Sequence, residues 1–257
     1  MISNAQPWDN LKFDLEGIEE VTRKFFGTLF NTYSFFALYA NLDSYSFSKD
    51  SLSKDLKELD YWILSKLNSL ILGVKGSYEE YEPTRAARLI QTFVSDDLSN
   101  WYVRLCRKRF WKGDFSEDKR AAYDTLFICL KNVSLMISPI APFYSDLLYR
   151  DLTQKNSVHL ANFPTVENLF INKDLEAKMA LAQKISSLVL RLRKKTQIKV
   201  RQPLQKVLIP SVDKTFQDAV SSVKDIIISE VNIKEVKFIS SDAVSYTHLR
   251  AHETLPY

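Results

Sequence analysis

The sixteen residues "DDLSNWYVRLCRKRFW", Asp96–Trp111, decide how the rest of the chain is read. They combine four aromatic, four cationic and two acidic side chains. That is too many charges for a core helix and too many rings for a solvated one. On a helix, neighbours on one face recur at three, four and seven residues. Ile90, Val94, Leu98, Trp101 and Leu105 then form an apolar stripe, flanked by Asp97, Asn100, Arg104, Arg107, Lys108 and Trp111. The spacing predicts a helix with a core face and a basic shoulder edged by an indole. Two readings of the shoulder compete. In one, Asp97 pairs with Arg104 and the long cationic stems lie over the core with their charges in water. In the other, guanidinium groups hold a polyanion's phosphates and an indole stacks on an unpaired base. Trp101 lies on the stripe and is expected in the core, while Asn100 either donates to a base or caps a neighbouring helix. Adjacent helical residues point about 100° apart, so Asp96 and Asp97, with no His or nucleophile beside them, are expected in ion pairs and not in catalysis.

Outward from this stretch the chain stays helical. Only five glycines occur in 257 residues, against a usual share of about 7%. Asp14 opens a first helix whose apolar residues recur through Leu42. A second is expected over 56–72, a third over 84–111 with Pro83 in its first turn, a fourth over 118–138 and a fifth over 142–152. "DFSED", Asp114–Asp118, reads as a turn with an acidic cap for the fourth. After a loop in which His159 is expected to be solvated, a helix over 174–196 ends in the basic run "RLRKKTQIKVR". A strand through Val207–Ile209, a helix over 216–228 and a strand in "NIKEVKFI" follow. The expected fold class is therefore mainly α, a helical bundle followed by a small α+β unit. The expected division is a lead over 1–13, the bundle over 14–155, the α+β unit over 174–242 and a non-native tail over 243–257, with the boundary between Leu152 and Asp174.

Composition narrows the classes. Hydrophobic residues make up 46% of the chain, enough for a packed core. Thirty-five Lys and Arg against 31 Asp and Glu leave a formal +4, a weak general pull toward an anionic partner. Cys106 and Cys129 lack CxxC spacing and read as small core residues in a reducing compartment. No apolar run approaches the roughly 20 residues that span a bilayer. "MISNAQPWDN" lacks a basic region followed by an apolar one, so the expected location is the cytoplasm. His248 and His252 are four apart, but "VSYTHLRAHET" resembles the translation of a transposase sequencing adapter and is set aside from fold reasoning; no metal is expected.

Five blocks then occur in one order: "SNAQPWDNLKFD", "FFGTLFNTYSFFALYANLD", "LSNWYVRLCRKRFW", "ISPIAPFYSDLLY" and "IKVRQPLQKVLIP". Together they closely resemble the isoleucyl-tRNA synthetase family, over residues 1–242, in the part that follows its catalytic core. Valyl and leucyl enzymes share the helical domain, and the valyl branch is the nearest competitor. The resemblance implies the class I anticodon-binding helical domain and the start of the C-terminal region of an ATP-dependent ligase that esterifies isoleucine to its tRNA. The HIGH motif, the KMSKS loop and the editing domain do not occur in this sequence. The chain alone is therefore expected to be inactive and to hold no cofactor, with ATP and Mg belonging to the missing catalytic part and Met1 an internal methionine. The implied partner is isoleucine tRNA, bound by a monomer, with neither DNA nor membrane. The implied tRNA-binding residues are Asn100, Arg104, Arg107, Lys108 and Trp111, with Arg193, Lys194, Lys195, Lys199 and Arg201 from the second basic run. A free-standing helical adaptor that binds protein through apolar grooves is the alternative.

Overall fold

The computed structural model describes residues 15–48, 53, 55–211 and 213–239. The lead 1–13, the Asp14 cap and the tail with His248 and His252 lie outside the described residues. The chain divides into two compact units, one ending at Asn172 and one beginning at Lys173.

The first unit is all helix and loop. Helix α1 covers 15–42 as Leu15–Val21, π-type turns over Thr22–Phe26, and Gly27–Leu42. Helix α2, Glu58–Glu79, opens where the Asp60 carboxylate accepts from the Lys57 amide at 2.9 Å. It runs seven residues past the expected end at Leu72 because Gly73 does not stop it. A Cβ on Gly73 would lie 3.2 Å from Leu89 Cδ1, so this glycine lets two helices approach closely and is not a terminator.

Helix α3 covers 83–111 as Pro83–Thr92, π-type turns over Phe93–Val103, and Arg104–Trp111. Helix α4, Glu117–Ile137, is capped by Ser116, whose hydroxyl accepts from the Lys119 amide; this hydroxyl takes the capping role expected of the neighbouring acids. Helix α5, Pro142–Thr153, ends on Gln154 at φ 58°. Beyond it the loop returns to the bundle. Ser157 Oγ and the Val158 amide both donate to Asp146, the Glu167 amide donates to Asn68 Oδ1, and the Asn172 amide donates to Ser65 Oγ.

The core is built from Leu29, Trp62, Leu67, Ile71, Leu98, Phe110, Tyr123, Leu126 and Leu130, all buried. Ile90, Val94, Leu98 and Trp101 are buried as the stripe predicts, but Leu105 is only partly covered and Tyr102, Cys106 and Phe110 take its place. The π-type turns explain the change. Hydrogen bonds reaching five residues, not four, put extra residues into each turn and rotate the inward face along the helix.

The second unit consists of α6 (Lys173–Lys195), β1 (Leu204–Pro210), α7 (Lys214–Ser222), α8 (Lys224–Val231) and β2 (Ile233–Ile239). The single helix expected over 216–228 is two, broken at Val223, with Asp213 capping the first through the Phe216 amide. The strands pair in parallel, Val207 opposite Val236 and Ile209 opposite Phe238. A parallel pair requires a crossover connection, and α7 and α8 supply it.

Candidate nucleic-acid interface

The outer face of α3 is set by what its inner face buries. With Tyr102, Cys106 and Phe110 turned into the bundle, Asn100, Arg104, Arg107, Lys108 and Trp111 are exposed. The two guanidinium groups are laid over aromatic rings. Arg107 Cζ lies 5.7 Å from the centroid of Phe35 on α1, and Arg104 Cζ lies 5.9 Å from that of Trp101. Such contacts hold a cation's orientation while leaving its edge available. Trp111, at the end of the row, is 54% exposed. The surface thus offers donors, positive charge and an exposed indole in succession.

Asp97 is buried, and its carboxylate takes Lys66 of α2 as an ion-pair partner at 3.1 Å. That partner lies on another helix, beyond the reach of spacing arguments. Trp101 is in the core, as its place on the stripe predicts.

Arg109, which the sequence pattern does not separate from its basic neighbours, points inward. Its Nη1 and Nη2 donate to the two carboxylate oxygens of fully buried Asp60 at 2.8 and 2.9 Å. Nε and Nη2 also donate to the Asp118 side chain and main-chain carbonyl. The Tyr102 hydroxyl donates to Asp60 at 2.6 Å. Burial opposes the Arg109 charge, but hydrogen bonding and proximity to Asp60 outweigh it and raise its pKa. The cluster ties the start of α2, the end of α3 and the start of α4 together, so Arg109 fixes the shoulder without belonging to it. Beside it, burial pushes the Cys106 thiol up to about 12, and burial raises Cys129 as well.

In the second unit Lys194, Lys195, Lys199 and Arg201 are exposed at the end of α6 and in the following loop. Arg193 departs from the sequence expectation. It is 2% exposed and donates to the carbonyls of Lys199, Gln202 and Asn232 at 3.1, 3.0 and 2.9 Å. Its place on the buried face with Val189 and Ile185 accounts for this. A guanidinium consumed by three main-chain carbonyls is not available to a phosphate, so Arg193 leaves the candidate site. His159 is exposed beside the Ser157 and Asp146 contact. Among the described residues no three His, Cys, Asp or Glu side chains converge as metal ligands, and no helix is long and apolar enough to cross a membrane.

Residues 60–208 match the family model described as the anticodon-binding domain of tRNA ligase, and the chain belongs to that family. Its relatives are isoleucine–tRNA ligases. That of Bacteroides fragilis is 56% identical over 250 residues, covering 95% of this chain and 22% of the relative. That of Cytophaga hutchinsonii is 57% identical over 246 residues, 93% of this chain and 22% of the relative. The Thermoplasma acidophilum protein is 40% identical over 237 residues, 92% of this chain and 22% of the relative. The matches favour the isoleucyl branch over the valyl one and over a free-standing adaptor. The chain spans about a fifth of the length of these curated relatives.

Proposed function

We propose that the chain is the tRNA-binding part of an isoleucine–tRNA ligase and that it holds the anticodon stem-loop of isoleucine tRNA. The observation that carries this reading is Trp111, an open indole at the end of a row of exposed cations on α3. Anticodon loops present unstacked bases on a phosphate scaffold, and proteins read them by stacking and edge hydrogen bonds. In this reading an unpaired base stacks on Trp111, and Asn100, Arg104, Arg107 and Lys108 donate to the edges of the neighbouring bases. Lys194, Lys195, Lys199 and Arg201 face the backbone from the second unit.

We further propose that the chain alone neither activates isoleucine nor charges tRNA, that ATP and Mg act in the part of the relatives it does not span, and that it works as a cytoplasmic monomer. Cys106 and Cys129, both free and buried, fit a reducing compartment. Filter binding with a transcript of isoleucine tRNA, beside one with an altered anticodon, tests the partner. The first is expected to bind more tightly, and equal binding would overturn anticodon recognition. Pyrophosphate exchange with isoleucine and ATP is expected to be absent, and detectable exchange would overturn the assignment of chemistry elsewhere.

A further inference from the structure

Charge is divided unequally between the two units. Residues 15–172 carry nineteen Lys and Arg against twenty Asp and Glu, whereas 173–239 carry fourteen against seven. The asymmetry is greatest between Glu176 and Asp213, where nine Lys and Arg occur and no Asp or Glu. One of the nine, Arg193, is taken by main-chain carbonyls. Lys184, Arg191, Lys194, Lys195, Lys199 and Arg201 are exposed.

The arrangement on α6 is specific. Lys184, Leu188, Arg191 and Lys195 follow one another at helical spacing on the exposed face, opposite buried Ala182, Ile185 and Val189. A structural explanation is available for part of this, because cations in a last helical turn are stabilised by the helix dipole. It does not reach Lys184, about three turns from the helix end, nor Lys199 and Arg201 beyond it. In the first unit, by contrast, buried or half-buried cations are matched with acids: Lys66 with Asp97, Arg109 with Asp60 and Lys119 with Asp43. A stretch of chain that carries nine cations and no acid repels itself, and a polyanion relieves that repulsion while releasing its counterions.

We infer that the second unit, through Lys184, Arg191, Lys194, Lys195, Lys199 and Arg201, supplies the larger share of the grip on backbone phosphates, and that the α3 shoulder acts chiefly on the bases. This rests on the tRNA-binding reading and adds Lys184 and Arg191 to it. Two triple variants of the full chain test the division: Lys184→Gln with Arg191→Gln and Lys195→Gln, and Arg104→Gln with Arg107→Gln and Lys108→Gln. Binding to the isoleucine tRNA transcript is followed across salt concentrations, with thermal melts to check that each variant is folded. Each phosphate contact contributes about 0.7 to 0.9 to the slope of log affinity against log salt. The α6 triple is expected to lower that slope by about two units, and the α3 triple by less than one. The reverse order, or an unchanged slope in the α6 triple, overturns the inference and leaves the tRNA reading standing. Failure of the parent chain to bind the transcript at the lowest salt overturns both. Phosphatidylserine vesicles are expected not to bind at the same ionic strength, and binding as strong as that of the transcript would overturn RNA as the occupant.

Discussion

The runs Arg104–Trp111 and Arg191–Arg201 look alike as sequence, each a cluster of cations closing a long helix, and each turns one arginine inward. In α3 the inward residue, Arg109, meets two carboxylates from other helices. In α6 the inward residue, Arg193, meets no carboxylate as a hydrogen-bond partner among the described residues and instead gathers three main-chain carbonyls. One arginine joins helices by ion pairing, and the other fixes a loop and a strand end by hydrogen bonding. The outward cations of both runs are thereby held on a rigid support. The difference shows that a basic cluster is not a unit of function. Each member's direction relative to the buried face decides whether it serves the fold or a ligand.

The largest effect should come from removing the inward arginine of α3. Arg109→Met leaves Asp60 buried and without its bidentate partner, and loss of one member of a buried ion pair costs about 3–5 kcal/mol. Chemical denaturation is expected to show that loss, and a variant as stable as the parent would remove the keystone role. Arg193→Met should cost somewhat less, about 2–4 kcal/mol, because no charge is stranded, only carbonyls of Lys199, Gln202 and Asn232. Hydrogen exchange should localise this loss to the second unit; exchange that rises equally across α3 would contradict it.

Trp111→Ala sharpens the contrast from the outward side. A stacking indole contributes roughly 1–3 kcal/mol per base, while an exposed side chain changes stability by about 0.5 kcal/mol or less. Affinity for the tRNA transcript should therefore fall with the melting temperature nearly unmoved, and an early melt with unchanged affinity would make Trp111 structural. The smallest effect is an absence of reaction. Cys106 sits on the inward face of α3, its thiol pushed up to about 12 by burial. A thiol reagent at pH 8 should label neither Cys106 nor Cys129 in the folded chain and both after denaturation. Rapid native labelling of Cys106 would mean that this face opens.

Much of the first unit is legible in the sequence because its helices are long and amphipathic, and Pro83 and Pro142 stand at helix starts. What is not legible depends on neighbours remote in the chain. The second helix reads as ending at Leu72, yet it continues through Gly73, a point of close approach to Leu89. Leu105 reads as core, yet the π-type turns over Phe93–Val103 pass that place to Cys106 and Phe110. The break at Val223 divides a run that the sequence reads as one helix over 216–228. At the candidate site, Arg104, Arg107, Lys108 and Trp111 are found by lying on the flank of the apolar stripe. Arg109 cannot be told from them by pattern, since Asp60 lies on another helix, whereas Arg193 follows buried Ile185 and Val189 at helical spacing and only its partners, Asn232 among them, are remote in the chain.

Lysine acetylation of the full chain, with and without the isoleucine tRNA transcript, tests the central claim that the outward cations of the two runs hold RNA. Lys108, Lys194, Lys195 and Lys199 should react freely in the unbound chain and become protected when the transcript is present. Lys24 and Lys75, exposed on α1 and α2, should react equally in both. Protection confined to Lys24 or Lys75, with the lysines of the two runs unchanged under conditions where the transcript is bound, would contradict the account.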